Sequence, residues 1–296
     1  MSGGVRCVRS IFRPGLFKHK VAVVTGGATG IGKAVTEELL HLGCSVTIAS
    51  RNEENLKGAA NELQSRLMDQ EGCPRILYTP CNIRSEEQVK NLISRTLQSH
   101  NSLDERRQPK GGGQRASKPD GIDQKGCNPI VDTNLTGTSP ASKEAYSQWM
   151  EKHGGSIVNI IMENERGYPL MAHSGAARAG VENLTRSLAI EWAESGVRIN
   201  AVAPGVIYSA TAAKNYATNV FDLVRTRLAA KRTGTPQEVS SAVCFLLSSG
   251  ASYVSGTTLF VDAASRLHPG HLFEVPEHDR WPEHDSCIDN EAKELP

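Results

Sequence analysis

The chain has 296 residues, 39% apolar and 22% charged, which is enough to bury a full core in one globular α/β domain with tails. Its 33 basic and 32 acidic side chains nearly cancel, so no nucleic-acid partner is expected. No apolar run approaches the length of a membrane span, and seven scattered cysteines with no Cys-x-x-Cys pair argue against zinc and against a disulfide scaffold. No metal is expected, and a reducing compartment is the simpler setting.

No acidic residue precedes Glu37, and Arg6, Arg9, Arg13, Lys18 and Lys20 are spaced among Val5, Val8, Ile11, Phe12 and Phe17, a weak transit-peptide pattern. Pro14-Gly15 favours instead an arm over residues 1–17 that turns into a first strand. That strand, Val21-Ala22-Val23-Val24, breaks into Thr25-Gly26-Gly27-Ala28-Thr29-Gly30-Ile31-Gly32 and then a helical pattern. Glycines at 26, 30 and 32 remove the Cβ atoms that would keep backbone N–H groups from a pyrophosphate, and the following helix offers it a positive end. Strand, glycine turn and helix together predict a nucleotide-binding corner. Ser50-Arg51 at the end of the second strand (Ser45–Ala49) replaces the acidic residue that would pair with the ribose of NAD. Hydroxyl and guanidinium suit a 2′-phosphate, so NADPH is the expected cofactor.

Strand and helix signals then alternate. Leu56, Ala59, Ala60, Leu63 and Leu67 recur at helical spacing, as do Val89, Leu92, Ile93 and Leu97 after a third strand at 75–79. Further strands are predicted at 155–161, 197–202 and 257–261, with a long helix over roughly 175–195 and another striped by Val239, Val243, Leu246 and Leu247. This is the pattern of a Rossmann-type doubly wound parallel sheet in a three-layer α/β/α arrangement, over residues 18–265. Residues 98–110 break it. They carry five formal charges and a proline where a fourth parallel strand belongs, so that stretch is predicted not to be a buried central strand; residues 99–131 are expected to be irregular, and about 99–128 mobile. Residues 266–296 form a tail whose histidines 268, 271, 278 and 284, near Cys287, match no ligand spacing.

The glycine turn fits Thr-Gly-x-x-x-Gly-x-Gly, the pattern of the short-chain dehydrogenase/reductase family. Within it, Ile48 to Arg51, Cys81 to Arg84, Thr133 to Thr138, His153 to Ile161, His173 to Val181, Val202 to Ser209 and the tail Glu274 to Pro282 resemble the peroxisomal trans-2-enoyl-CoA reductases over about residues 10–285. The resemblance implies NADPH-dependent saturation of the 2,3 double bond of an acyl-CoA in fatty-acid elongation. It further implies Asn82, Pro204, Gly205 and Ile207 beside the cofactor with Thr25, Gly26, Gly30, Ile31 and Gly32, a dimeric or tetrameric assembly, and a peroxisomal location. The sequence ends Lys293-Glu294-Leu295-Pro296, which is not a Ser-Lys-Leu-like peroxisomal address and leaves cytoplasm or mitochondrion as alternatives.

Conjugate reduction of an enoyl thioester builds negative charge on the thioester oxygen and needs a proton at the α carbon. In most family members a Tyr-x-x-x-Lys pair supplies the donor. None of the six tyrosines here has lysine four positions later. One helix register puts Glu182 and Arg186 in place of that pair, and another puts Ser174 and Arg178 there. The serine expected after strand five is also absent, with Met162 following Asn159-Ile160-Ile161. Arg178 keeps a charge able to hold a ribose or an oxyanion, acting as a clamp and not as an acid. Glu182 and Arg186, spaced i and i+4, fit an ordinary surface pair equally well. Two functions follow: an acyl-CoA reductase of reduced turnover, or a non-catalytic NADP-binding or assembly protein.

Overall fold

A computed structural model of the chain describes residues 10–67, 74–107, 124–214, 220–267 and 275–284. Its strands are β1 (Val21–Thr25), β2 (Ser45–Ser50), β3 (Ile76–Pro80), β4 (Glu105–Arg107), β5 (Gly155–Ile160), β6 (Val197–Pro204) and β7 (Thr258–Val261). Its helices are α1 (Gly30–His41), α2 (Glu53–Ser65), α3 (Glu86–His100), α4 (Gln124–Val131), α5 (Thr138–Ala145), α6 (Glu151–His153), α7 (Ala172–Glu191), α8 (Ala210–Ala213), α9 (Val220–Arg225) and α10 (Pro236–Leu247). A π-helical turn, Asp132–Thr136, joins α4 to α5.

Among the described residues the strands form one parallel sheet in the order β3-β2-β1-β4-β5-β6-β7. Successive side chains of a strand point to opposite faces, and β1 shows the consequence. Val24 packs with Val35 and Leu39 of α1 and Val239 and Val243 of α10. Val23 packs with Val89 and Leu92 of α3 and Ala141 and Ala145 of α5. Both faces are therefore covered, which is why the strands read as apolar runs. This is the doubly wound three-layer α/β fold that the alternation of elements predicts.

Local chemistry sets the helix ends. Asn52 caps α2 by accepting from the Asn55 N–H at 2.8 Å, and Thr235 with Glu238 forms a reciprocal capping box over Pro236 at the start of α10. At the other end of α10, Arg198 donates to the carbonyls of Leu246 (2.7 Å), Leu247 (3.1 Å) and Ser248 (3.2 Å), placing a cation at the helix's negative end.

The expectation that residues 98–110 hold no central strand is corrected. Glu105–Arg107 lies between β1 and β5, pairing Ala22 to Val24 on one side and Ser156 to Val158 on the other. Main-chain hydrogen bonds do not depend on side-chain polarity, and the entrance to the strand is pinned. Asp104 exchanges backbone bonds with Val21 and Ser156 at 3.0 Å, and its carboxylate accepts from the Val21 N–H and from Lys20 Nζ at 2.9 Å. Burial makes the charge that argued against it costly to keep: Glu105 is 4% exposed, and desolvation, reinforced by Asp104 and opposed by Lys20 and Arg198, pushes its carboxyl well above the usual range. Regular structure also resumes earlier than expected, with α4 beginning at Gln124. The remainder of the segment expected to be mobile, 108–123, lies outside the described residues.

The arm and tail fold back onto the domain. Gly15 takes a left-handed φ of 72° at the turn before β1, and Phe17 is buried with Leu39 and Leu42. In the tail, His278 bonds the Ala229 carbonyl at 2.9 Å and His284 the Ser241 hydroxyl at 2.8 Å, so both serve docking. His268, His271 and Cys287 lie outside the described residues. Among those described, no helix is long and apolar enough to cross a membrane, and no group of three or more His, Cys, Asp or Glu side chains could hold a metal ion.

Glu105 gives a pH-dependent stability. Its folded-state pKa is raised above the unfolded value near 4.3, so its destabilising effect is absent in acid and grows as pH rises from about 4 through the folded pKa. Glu105→Leu, similar in volume, should stabilise the fold at pH 7 by about 1–3 kcal/mol, with the gain shrinking below about pH 4. Urea unfolding at the two pH values measures it, and equal stability of both proteins at pH 7 would show that the carboxyl is accommodated without cost.

Candidate active site

The site is assembled along the C-terminal ends of the strands, where an open parallel sheet places its ligands. Thr25 is buried at the end of β1. Gly26 follows with φ 68° and donates to the Ala49 carbonyl at 2.6 Å, and Gly30 opens α1 with φ 50°. A Cβ on Gly27 would lie 2.5 Å from Ile48 Cγ2, so the turn can lie against β2 only as glycine. Thr29, at the N-cap of α1, makes no side-chain capping bond, which leaves the first amides around Ile31 and Gly32 without that partner. A Cβ on Gly30 would meet only Ser209 Oγ, at 3.6 Å. The glycine turn therefore faces the loop after β6, where Ile207 is buried and bridges to Gly234.

Ser50 and Arg51 lie together at the end of β2, with Arg51 exposed. Asn82, just beyond β3, accepts from the Arg84 N–H at 3.3 Å and donates its own N–H to Gln88 Oε1 at 2.8 Å. Pro204 ends β6, and Gly205 donates to the Val261 carbonyl at 3.0 Å. A Cβ on Gly205 would lie 2.9 Å from Asp262, so only glycine lets the β6 and β7 ends meet there. Beyond β7, Ala263 and Ala264 hold left-handed φ values of 48° and 61°, conformations that typically cost about 1–3 kcal/mol each. The buried Asp262 carboxylate holds them, accepting from the Ala264 and Arg266 N–H groups and pairing with the Arg266 guanidinium at 3.1 Å.

The first half of α7 carries the unusual chemistry. Arg178 is 1% exposed, the largest fully buried side chain, and no carboxylate faces it among the described residues. Its Nη1 donates to the Ser174 carbonyl and hydroxyl, while Nε and Nη2 have no partner among those residues. Burial lowers its pKa to about 10, so it is still a cation at neutral pH. Asn134 Oδ1 in the π-helical turn and Asn159 Oδ1 in β5 are likewise buried without partners. Natively buried polar atoms are nearly always satisfied, so unpartnered atoms on elements that pack against one another mark a place for a ligand. The sequence names Asn134 and Asn159 only within resembling segments; neither stood out as a site residue. At the start of α7, a Cβ on Gly180 would strike Leu135 at 2.9 Å, a packing constraint, whereas one on Gly175 would meet open space.

The two helix registers separate clearly in space. Ser174 and Arg178 lie buried in the first turns of α7. Glu182 and Arg186 form a 2.6 Å ion pair on its outer face, with the Arg186 side chain 61% exposed and Glu182 also accepting from Thr258 at the start of β7, below the strand ends. These two residues make the surface pair that their spacing allowed and do not reach the strand ends. Met162 is buried after β5 and offers no hydroxyl.

The residues present fit a nicotinamide dinucleotide. The glycine turn and the start of α1 suit a pyrophosphate, Ser50 and Arg51 a ribose phosphate, and the orphaned donors of Arg178 a ribose or an oxyanion. Comparison with known proteins gives the family. The family model for enoyl-(acyl carrier protein) reductase matches residues 26–263. The chain is 33% identical over 260 residues to the peroxisomal 2,4-dienoyl-CoA reductase of Danio rerio, covering 87% of this chain and 85% of that protein. It is 31% identical to a probable 2,4-dienoyl-CoA reductase of Bacillus subtilis over 85% of this chain and 98% of the relative. Among solved structures, a citronellol catabolism dehydrogenase of Pseudomonas aeruginosa superimposes with a TM-score of 0.76 at 39% identity, covering 87% of this chain and 99% of the other. Glycine turn, strand order and these likenesses together make the chain a member of the short-chain dehydrogenase/reductase family, of the enoyl-CoA reductase type.

Proposed function

We propose that the chain is an NADPH-dependent reductase of α,β-unsaturated acyl-CoA thioesters, with trans-2-enoyl-CoA as substrate and a saturated acyl-CoA as product. The observation that carries the reading is Arg178, a buried cation with two unpartnered donors beside Ser174 near the strand ends. NADPH, when bound, supplies a hydride equivalent. Arg178 contributes fixed positive charge where an enolate oxygen or ribose hydroxyls would otherwise lie against apolar walls. Ser174 accepts from Arg178, which leaves its own O–H to donate to the thioester oxygen. The glycine turn and Ser50 with Arg51 hold the cofactor, and Pro204-Gly205 walls its reactive end. Peroxisomal relatives favour the peroxisome as the compartment, and a subunit assembly is in keeping with the family.

The direct test is NADPH oxidation with trans-2-enoyl-CoA and, because the relatives are 2,4-dienoyl-CoA reductases, with a 2,4-dienoyl-CoA. Without the tyrosine that donates to the thioester oxygen, turnover should be lower than in ordinary family members, by up to about 10² where another group supplies the α-carbon proton. Ser174→Tyr with Arg178→Lys should raise it, and Glu182→Tyr with Arg186→Lys should not. NADPH binding with no turnover on either substrate would favour the non-catalytic reading.

Arg178→Met separates ligand binding from folding. Removing a buried unpaired charge should raise the stability of the ligand-free protein by about 1–3 kcal/mol while weakening NADPH binding at least tenfold. Thermal unfolding with and without NADPH reads both, and a variant that loses stability in the ligand-free state would show that Arg178 is already satisfied.

Arg51→Asp should abolish a ten- to hundredfold preference for NADPH over NADH, the worth of one charge-assisted contact of about 1.5–3 kcal/mol. Equal affinities for both cofactors in the unmodified protein would remove the 2′-phosphate assignment.

A further inference from the structure

Arg178 and Ser174 steady an oxyanion, but neither is suited to protonate carbon: a guanidinium does not release its proton, and a serine hydroxyl is a weak acid. We propose that Glu163, in the loop after β5, is the general acid that delivers the proton to the α carbon of the substrate. The proposal rests on the acyl-thioester reading above.

Three observations place the backbone at Glu163 on the rim of the site. Its N–H donates to the Pro204 carbonyl at 3.3 Å, extending the β5–β6 pairing to the strand ends beside the Pro204-Gly205 loop. Its neighbour Asn164 donates through Nδ2 to the Gly175 carbonyl at 3.0 Å, tying this loop to the turn of α7 that carries Ser174. It also stands one residue after Met162, where the family's strand-end serine is missing. The carboxylate is itself organised, accepting from the Glu165 N–H at 3.2 Å. The charged groups acting on it are Glu165 in its own loop, Asp262 at the end of β7, and Arg266, which pairs with both.

Partial burial comes first among the effects that raise the Glu163 pKa above the carboxylate range. Asp262 and Glu165 add to it, and the Glu165 N–H and Arg266 oppose it. A group that is half-buried and inclined to stay protonated meets both needs of a general acid: it can give up a proton inside the site and regain one from water.

The step balances. The β carbon receives a hydride from the reduced nicotinamide, the double-bond electrons pass toward the α carbon and thioester oxygen, and the Glu163 O–H bond breaks as an α C–H bond forms. The carboxylate left behind takes a proton from solvent, so NADPH, one proton and the enoyl thioester become oxidised cofactor and saturated thioester.

Glu163→Gln keeps the shape and removes the acid. In the unmodified protein kcat should fall as pH rises through the carboxyl pKa. The Gln variant should lose that alkaline limb and at least a hundredfold in kcat, with KM and NADPH affinity changed less than threefold. A second readout does not need turnover: beside the raised carboxyls of Glu105 and Glu38, carbon-13 NMR of glutamate-labelled protein should show a further carboxyl titrating above the usual range that is missing in Glu163→Gln. A Gln variant with normal kcat and an intact alkaline limb, or no such titrating carboxyl, overturns the assignment while leaving the reductase reading in place. No NADPH oxidation by the unmodified protein on either thioester overturns the reading itself and this proposal with it.

Discussion

The sheet is continuous only because three residues, Glu105–Arg107, complete it. They stand between β1, which carries the glycine turn, and β5, which leads to the rim beside α7. In this strand order the chain reverses its direction of winding at the β1–β4 boundary, and the crevice above such a boundary is where a dinucleotide lies. A lost ladder here would part the nucleotide half of the molecule from the half that carries Ser174 and Arg178. The pinning of Asp104 by Val21, Ser156 and Lys20 is thus a condition for the site as well as for the fold.

Among the buried ionisable side chains, Glu105 and Arg178 differ in chemistry and so in consequence. Burial raises the Glu105 pKa, the direction in which a carboxyl can avoid the cost of a buried charge. Arg178 has no such route, because even with burial lowering its pKa to about 10 it stays charged at neutral pH. A cation that neither neutralises nor reaches a carboxylate among the described residues leaves Nε and Nη2 open to a ligand, the role proposed for it above. Its uncompensated state distinguishes it from the Glu182–Arg186 pair, which is satisfied within the helix and asks for nothing further.

The sequence makes most of the fold legible, since buried parallel strands announce themselves as apolar runs and β2, β3, β5, β6 and β7 fall within a few residues of their predicted positions. The expectation fails at β4, where strand formation is imposed by ladders on both sides and leaves no mark in residue type. Asp104, Glu105, Arg106 and Arg107 would read as solvent-facing in any window analysis, and only the three-dimensional neighbours reveal the buried carboxyl with its raised pKa. Of the site, the glycine turn and Ser50 with Arg51 are visible because local spacing encodes them. The choice between the two α7 registers is not: both are spaced i and i+4, and burial alone separates them. Glu163 is missed for the same reason, because a glutamate in a loop after a strand looks like surface until Pro204, Asn164 and Asp262 are seen around it.

These features fit one change of chemistry. A phenol must be made more acidic before it can donate near neutral pH, and the family pairs its tyrosine with a lysine to do so. No Tyr-x-x-x-Lys occurs in this sequence, and each of the two α7 registers would put an arginine where the lysine is expected. If a carboxyl supplies the proton, the tuning runs in the opposite direction: its pKa has to be raised, which is what partial burial beside Asp262 and Glu165 does. A strong cation next to that carboxyl would undo the effect. Arg266 is drawn onto Asp262 and Glu165, and Arg178 is held by the backbone and hydroxyl of Ser174, so neither guanidinium pairs directly with Glu163. The arrangement thus divides the work that tyrosine and lysine share elsewhere, with a fixed cation for the oxyanion and a weakened carboxylate for the proton.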